Sequence, residues 1–164
     1  MTVVVAVPPL PTPEAFANLA GSLVGKKVKA TKSTAPLLAA NIRGVASYVD
    51  ANGDTRFVAV ADVAFIGAIG AALAMIPLPA VTDAIRTGKP SEALVENAYE
   101  VLNVAASLFN EMEGTTIHVK VAKLVVGPLD PELAKRLLKP AARLDMQISV
   151  PGYPDARLAF VALN

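Results

Sequence analysis

The longest regular pattern of apolar and polar positions in this chain lies between Ser91 and Met112. Its apolar residues recur at steps of three and four, so they share one face of a helix. They are Leu94, Ala98, Val101, Leu102, Ala105, Leu108, Phe109 and Met112. The opposite line is polar and consists of Glu92, Glu96, Glu100, Asn103, Ser107 and Asn110. The pattern predicts one long amphipathic helix, and any working surface is expected along its polar line.

The residues before residue 62 predict one helix followed by three strands. Thr12 can cap a helix that has Pro13 in its first turn. Asn52-Gly53 supplies the positive backbone dihedrals that a tight hairpin turn needs, which favours an antiparallel pair of strands on either side of it. The predicted elements are a helix at 13–23 and strands at 26–31, 41–50 and 55–61.

The segment from Val63 to Thr82 has twenty residues without a charge, which is long enough to resemble a membrane span. Pro77 and Pro79 would stop a helix that begins at Val63, which leaves about thirteen helical residues or roughly 20 Å. That length is too short for a hydrocarbon core of about 30 Å. The segment is therefore expected to be a buried core helix capped by Asp62, with small residues that allow close packing. A short helix should follow at 78–87.

After Gly114 the apolar period changes from that of a helix to that of a strand. Alternation predicts a half-buried strand at 116–121 and two more strands at 143–150 and 157–163. A short helix should begin at Asp130 and end at Pro140. The order of elements predicts an α+β fold, a mainly antiparallel six-stranded sheet with helices packed on one face. The chain is expected to form a single domain over 1–164, with an extended segment at 1–12.

Composition narrows the classes of function. Hydrophobic residues make up 54% and charged residues 18% of the chain, which is ample for a core. The net charge of +1 predicts no nucleic-acid partner, and the four lysines of Lys26 to Lys32 are typical of a solvated edge strand. The chain has no cysteine. Its first residues lack the basic flank of a signal peptide. We therefore expect a cytoplasmic protein without a membrane partner.

Common catalytic patterns are missing from the sequence. His118 is the single histidine, and no phosphate-binding glycine loop or nucleophile elbow occurs. Glu96 and Glu100 repel each other at four-residue spacing, and Asn103 costs roughly half a kcal/mol against alanine inside a helix. Locally unfavourable choices sometimes mark functional positions. On these residues alone, however, an ordinary solvated face is the simpler interpretation.

The element order and the pattern Glu100-Val101-Leu102-Asn103 together resemble the chemotaxis phosphatases of the CheX/CheC group. These proteins carry Glu-x-x-Asn on an exposed helix and hydrolyse the aspartyl phosphate of the response regulator CheY. The resemblance implies that Glu100 pairs with a lysine of the regulator and that Asn103 orients the attacking water. It also implies that the protein needs no cofactor of its own, because the regulator carries the Mg²⁺.

Two positions depart from that family pattern. Glu96 stands where an aspartate or serine is often found, and Ser107 stands where a glycine often lets the partner approach. Together with Tyr99, these residues are expected to contact the partner. The alternative is a non-catalytic module of the same fold, a homodimeric scaffold such as those in flagellar switch proteins. In that case Glu100 and Asn103 would be merely solvated.

Overall fold

The computed structural model describes residues 8–164. Of the expected extended segment 1–12, residues 1–7 lie outside the described residues, and residues 8–12 have no regular secondary structure. The helices are α1 (Pro13–Val24), α2 (Val63–Ala74), α3 (Leu78–Thr87), α4 (Glu92–Val104), α5 (Ala106–Asn110) and α6 (Pro131–Leu137). The strands are β1 (Lys29–Lys32), β2 (Gly44–Val49), β3 (Thr55–Ala61), β4 (Lys120–Val126), β5 (Ala142–Ser149) and β6 (Ala156–Ala162).

The six strands form one sheet in the order β1-β5-β6-β3-β2-β4, and every neighbouring pair is antiparallel. The predicted α+β fold with a six-stranded antiparallel sheet is confirmed. The hairpin is also confirmed, since β2 and β3 pair across a turn in which Gly53 has a φ of 82°. β1 lies at one edge of the sheet, where its exposed lysines Lys29 and Lys32 discourage pairing with another chain.

Two apolar clusters cover the two faces of the sheet. Successive residues of β3 and β6 point to opposite faces, so Phe57 and Phe160 belong to one cluster while Val58 and Val161 belong to the other. The larger cluster lies under α1, α2, α4 and α5 on the predicted helical face, and α3 packs on these helices through a third small cluster that includes Val81 and Ala84. The helix α6 is the exception, because its Leu137 packs in the smaller cluster on the opposite face.

The helix α2 is buried and packs closely on α4. The Asp62 carboxylate caps it by accepting from the N–H of Phe65 at 2.9 Å, as predicted. A Cβ added to Gly70 would lie 2.3 Å from the carbonyl oxygen of Leu94, so the lack of a side chain allows the two helices to touch. The Asn97 amide of α4 also donates to the Gly70 carbonyl at 3.0 Å. In the described part of the chain, no helix has both the length and the apolarity to cross a bilayer.

The strand predicted at 116–121 is displaced toward the carboxyl end, because β4 spans Lys120–Val126. The side chain of Asn110 explains the difference. Its amide accepts from the N–H of Val119 and donates to the carbonyl of the same residue, both at 2.8 Å. The main chain at Val119 is thereby bonded to a side chain instead of to a neighbouring strand. The alternation at 116–121 correctly predicted a half-buried extended segment. It did not show that the main chain at Val119 bonds to the side chain of Asn110.

Two other strands begin later than predicted. Gly25 ends α1 in the left-handed conformation, and the N–H of Val28 bonds to the carbonyl of Lys26, so the chain turns before β1 begins at Lys29. Before β2, a single 3₁₀ turn occupies Ala39–Asn41. The strand starts only at Gly44, and the predicted strands 26–31 and 41–50 therefore included residues that belong to turns.

Candidate functional site

The candidate site lies on α4, which begins as predicted. The Ser91 hydroxyl accepts a hydrogen bond from the N–H of Leu94 at 3.3 Å, which satisfies one of the free donors of the first turn. The prediction of one continuous helix to Met112 was wrong. Regular α4 ends at Val104, Ala105 is a turn residue, and the five-residue α5 follows.

A buried tyrosine gives a physical reason for the break. The Tyr48 hydroxyl, on β2, donates to the carbonyl oxygen of Leu102 at 2.6 Å. In an uninterrupted helix that carbonyl would serve the N–H four residues later, and a side chain entering this ladder bends or breaks a helix. The N–H of Leu108 then bonds to Ala105, three residues back, which is the tighter 3₁₀ pattern.

The exposed polar line is consequently shorter than predicted. Its members on α4 are exposed, namely Glu92, Glu96, Glu100 and Asn103. Ser107 is half-buried on α5, and its hydroxyl donates to the carbonyl of Val104 at 2.8 Å. Asn110 is also half-buried and holds the main chain of Val119. Ser107 and Asn110 therefore serve the local structure at the end of the line.

Glu100 and Asn103 lie three residues apart, so their side chains leave neighbouring positions on the same face of α4. Both residues are exposed. Among residues 8–164, neither side chain has a hydrogen-bond partner or an ion pair within the protein, so both remain available to another molecule.

A shallow depression of about 410 Å³ borders Glu100. It is lined by Val95, Glu96, Asn97, Tyr99, Glu100 and Leu124. Tyr99 is half-buried and packs against the larger cluster, while Glu96 is exposed at the rim. The structure thus brings Glu96, Tyr99 and Glu100 together on one side of the helix. Ser107 does not line this depression. It lies beyond the helix break at Ala105 and is therefore separated from the other residues expected to contact the partner.

This surface presents a carboxylate, that of Glu100, beside a side-chain amide, that of Asn103. A carboxylate only accepts hydrogen bonds, whereas the Asn103 amide both accepts and donates without titrating. Within residues 8–164, no group of three or more histidine, cysteine, aspartate or glutamate side chains is arranged to hold a metal ion. The arrangement suits binding a cationic group beside Glu100 and orienting a small polar molecule beside Asn103.

Two contributors to the site were missed by the sequence analysis. Tyr48 supports the turn that carries Asn103, and Leu124 of β4 forms one side of the depression. Tyr48 gave a partial signal, since a tyrosine at a core position of a strand needs a partner for its hydroxyl. Leu124 gave none, because the predicted strand stopped at Val121.

Comparison with known proteins establishes the fold. No protein-family description matches the sequence, and no curated protein matches it. A chain of the FliM–SpeE complex from H. pylori matches with a TM-score of 0.62 at 5% identity, over 92% of this chain and 81% of that one. A chain of the CheX–CheY–BeF3–Mg²⁺ complex from Borrelia burgdorferi matches with a TM-score of 0.54 at 11% identity, over 92% and 96%. The FliM middle domain from H. pylori matches with a TM-score of 0.50 at 6% identity, over 92% and 84%.

These likenesses define a class of fold. This chain has the architecture shared by CheX and the FliM middle domain, as the resemblance implied. The match spans most of both chains in each case. At identities of 5 to 11% this likeness is one of fold, that is, of the arrangement of helices and strands.

Proposed function

We propose that this protein is a phosphatase that acts on the aspartyl phosphate of a CheY-like response regulator. The observation that supports this proposal is the outward position of Glu100 and Asn103 on one face of α4, with no protein partner for either side chain within residues 8–164. The helix would enter the phosphorylation site of the regulator, and Tyr99 and Glu96 would contact the surface around it. The CheX chain that shares this fold occurs in a complex with CheY and Mg²⁺.

Each side chain has a definite role in this proposal. Asn103 would accept a hydrogen bond from water and hold it in line with the phosphorus–oxygen bond to aspartate. Water then adds to phosphorus while that bond breaks, which yields inorganic phosphate, the free aspartate carboxylate and a proton released to solvent. Glu100 would form an ion pair with a lysine of the regulator and fix the orientation of the helix. Most of the catalysis of phosphoryl transfer comes from such positioning and from charge stabilisation.

The regulator would supply the remaining charge. Mg²⁺ bound beside its aspartyl phosphate would neutralise the phosphoryl oxygens, so this chain would need no metal or cofactor of its own. Ser107 would lie at the edge of the contact, where a glycine would leave more room. Because its hydroxyl is bonded to the Val104 carbonyl, the side chain is held against its own helix.

The test is release of phosphate from a cognate regulator charged with acetyl phosphate. Asn103→Ala should lower the rate by about a hundredfold, the size of effect expected when a reacting group loses its position. Glu100→Ala should weaken regulator binding as well as turnover. Glu92→Ala is the matched control, because Glu92 is an exposed glutamate two turns earlier on the same helix. Failure of the wild-type protein to accelerate dephosphorylation of any regulator of its source organism would contradict the proposal.

The second candidate is a non-catalytic scaffold that assembles through this fold. It is favoured by the similarity to FliM chains, one of which gives a higher TM-score than the CheX chain. The β4 edge of the sheet has Val125 48% exposed, which is suitable for association with a second copy. If the protein is such a scaffold, the wild type should form homodimers, and Val125→Ala should weaken their association. A monomeric mass by light scattering at high protein concentration would contradict it.

A further inference from the structure

A separate cavity of about 550 Å³ lies where the segment 33–43 crosses the start of α2 and the end of α3. Two arginines line it, Arg43 just before β2 and Arg157 in β6. Its apolar wall includes Leu38, Val63 and Ile85, and the cavity shares no residue with the α4 surface. The volume falls within the range of about 300 to 1,000 Å³ typical of small-molecule sites.

Both arginines are held in place at the cavity by main-chain carbonyls. Arg43 donates from Nη1 to the carbonyls of Ala40 and Ile42, at 2.7 and 3.0 Å. Arg157 donates from Nη2 to the carbonyl of Ala35. In each guanidinium the other nitrogens have no acceptor among residues 8–164, and Nε of Arg157 is buried without one. An arginine has five N–H donors, so each retains donors for an oxyanion.

The start of α2 adds further donors. Val63 and Ala64 line the cavity and lie in the first turn, where N–H groups have no acceptor within the helix. The Asp62 carboxylate is also present, but its Oδ1 already accepts from the N–H groups of Phe65 and Arg157. Burial raises the pKa of Asp62, although those two hydrogen bonds oppose the shift. Even with Asp62 ionised, the two arginines leave the lining with an excess of positive charge.

We infer that this cavity binds a small organic anion, with a carboxylate or phosphate head between Arg43 and Arg157 and a short apolar body against Leu38 and Ile85. The planar fork of arginine matches both oxyanions, and two arginines fixed by main-chain contacts are prepared for them before binding. Leu38 is 62% and Ile85 is 39% exposed, and a bound apolar body would cover them. This site is independent of the function proposed for α4.

Amide NMR titration of the ¹⁵N-labelled full chain tests the inference. Hexanoate and hexyl phosphate are the two anionic probes, and hexanol is the neutral probe of equal apolar length. Saturable shifts of the Val63, Ala64 and Gly88 signals with either anion, and not with hexanol, are the expected result. The tighter of the two anions identifies the head group. Equal effects of hexanol and the anions, or no saturable shift with either anion, would overturn the inference.

Variants separate binding from folding. Arg43→Gln should weaken anion binding about tenfold or more, as expected for loss of a charge-assisted hydrogen bond. Ile85→Asp keeps both arginines, places a carboxylate at the mouth, and should weaken binding similarly in a protein with an unchanged amide spectrum elsewhere. Arg136→Gln, an arginine outside the cavity, is the control and should bind as wild type does. Wild-type affinity in both Arg43→Gln and Ile85→Asp would contradict the assignment.

Discussion

The hydroxyl of Tyr48 and the carbonyl oxygen of Leu102 are 2.6 Å apart, a hydrogen bond that joins the sheet to the helix turn bearing Asn103. Tyr48 is fully buried, and its ring lies 4.8 Å from that of Phe109 between centroids. Burial raises the pKa of the Tyr48 phenol far above its ordinary value, so the hydroxyl remains a donor at physiological pH. The position of Asn103 relative to the sheet therefore depends on this bond.

Replacing Tyr48 with phenylalanine removes the bond and little else. We expect Tyr48→Phe to lower the free energy of unfolding by about 1 to 2 kcal/mol, because the hydrogen bond is buried and its loss leaves the Leu102 carbonyl with one partner fewer. Urea unfolding followed by circular dichroism would measure the change. The midpoint should fall with an unchanged m-value.

Tyr99→Phe is the control for that measurement. Tyr99 is half-buried, and within residues 8–164 its hydroxyl has no hydrogen-bond partner. Its replacement should change the free energy of unfolding by less than about 0.5 kcal/mol, as for most surface changes. Equal effects of Tyr48→Phe and Tyr99→Phe would show that the Tyr48–Leu102 bond contributes nothing to stability.

Two glycines of α2 test how α4 is held in place. A Cβ at Gly70 would lie 2.3 Å from the Leu94 carbonyl oxygen, whereas one at Gly67 would lie 2.9 Å from a methyl group of Val81. Main chain yields less readily than a side chain, so Gly70→Ala should destabilise the protein by about 2 kcal/mol. Gly67→Ala should cost less, because the Val81 side chain can shift to make room, while alanine's better helix propensity, about 1 kcal/mol, benefits both variants equally.

Thermal unfolding of Gly70→Ala and Gly67→Ala, with wild type alongside, would measure the difference. If α4 has to move to make room, amide signals of Asn97 and Leu94 should shift in Gly70→Ala and stay in place in Gly67→Ala. A Gly70→Ala protein as stable as wild type would mean that the two helices can separate without loss. The close approach would then have no role in placing the site.

Local patterns were sufficient to predict most elements of this fold. The bounds of β3 and α3, the Asp62 and Ser91 caps and the Asn52-Gly53 hairpin depend on neighbouring residues, and all of them are present in the structure. Alternation also identified β5 and β6 to within about one residue, as expected for strands with one buried face.

Two of the errors arose where a side chain bonds to main chain elsewhere in the sequence. The break in the long helix follows from Tyr48, which lies 54 residues before Leu102. The late start of β4 follows from Asn110, which is bonded to Val119. Helical periodicity continues through Ala105 and Phe109 regardless, so no local pattern signals the break. The exposure of Glu100 and Asn103 was predictable from periodicity, but the loss of Ser107 and Asn110 from the exposed line was not.

The main chain of Leu37, which packs in the smaller cluster on the second face of the sheet, is held by the ion pair between Arg143 and Asp145. Asp145 accepts from Nε of Arg143 at 2.8 Å and from the N–H of Leu37 at 2.7 Å. Arg143 in turn donates to the carbonyl of Leu37 at 2.8 Å. Asp145→Ala would leave the arginine without its partner in a site where the two side chains are only 19% and 10% exposed. We expect a loss of about 3 kcal/mol, since breaking such a pair leaves a charge uncompensated.

The exposed pair between Arg86 and Asp83 is the control, with side chains 73% and 69% exposed. Asp83→Ala should cost less than about 0.5 kcal/mol, because solvent screens an exposed pair. Chemical denaturation of both variants gives the comparison. Similar losses for Asp145→Ala and Asp83→Ala would show that burial adds nothing to the contact between β5 and residue 37.

Replacing Glu100 or Asn103 should improve stability while lowering the proposed activity, because among residues 8–164 neither side chain bonds to the rest of the protein. Asn103→Ala should raise the free energy of unfolding by roughly 0.5 kcal/mol through helix propensity. Glu100→Gln should raise it by a few tenths of a kcal/mol, since it removes the repulsion from Glu96. High salt should shrink the Glu100 effect and leave the Asn103 effect unchanged.

A glutamate at the start of the same helix provides the control. Glu92 lies in the first turn of α4, where the helix dipole favours a carboxylate, so in Glu92→Gln the loss of this attraction offsets the relief of repulsion from Glu96 and stability should stay nearly unchanged. Denaturant unfolding at low salt would measure all three variants on one scale. If Glu100→Gln and Asn103→Ala both destabilised the protein, the two residues would have a structural role, and the argument that they are free to act on a partner would fail.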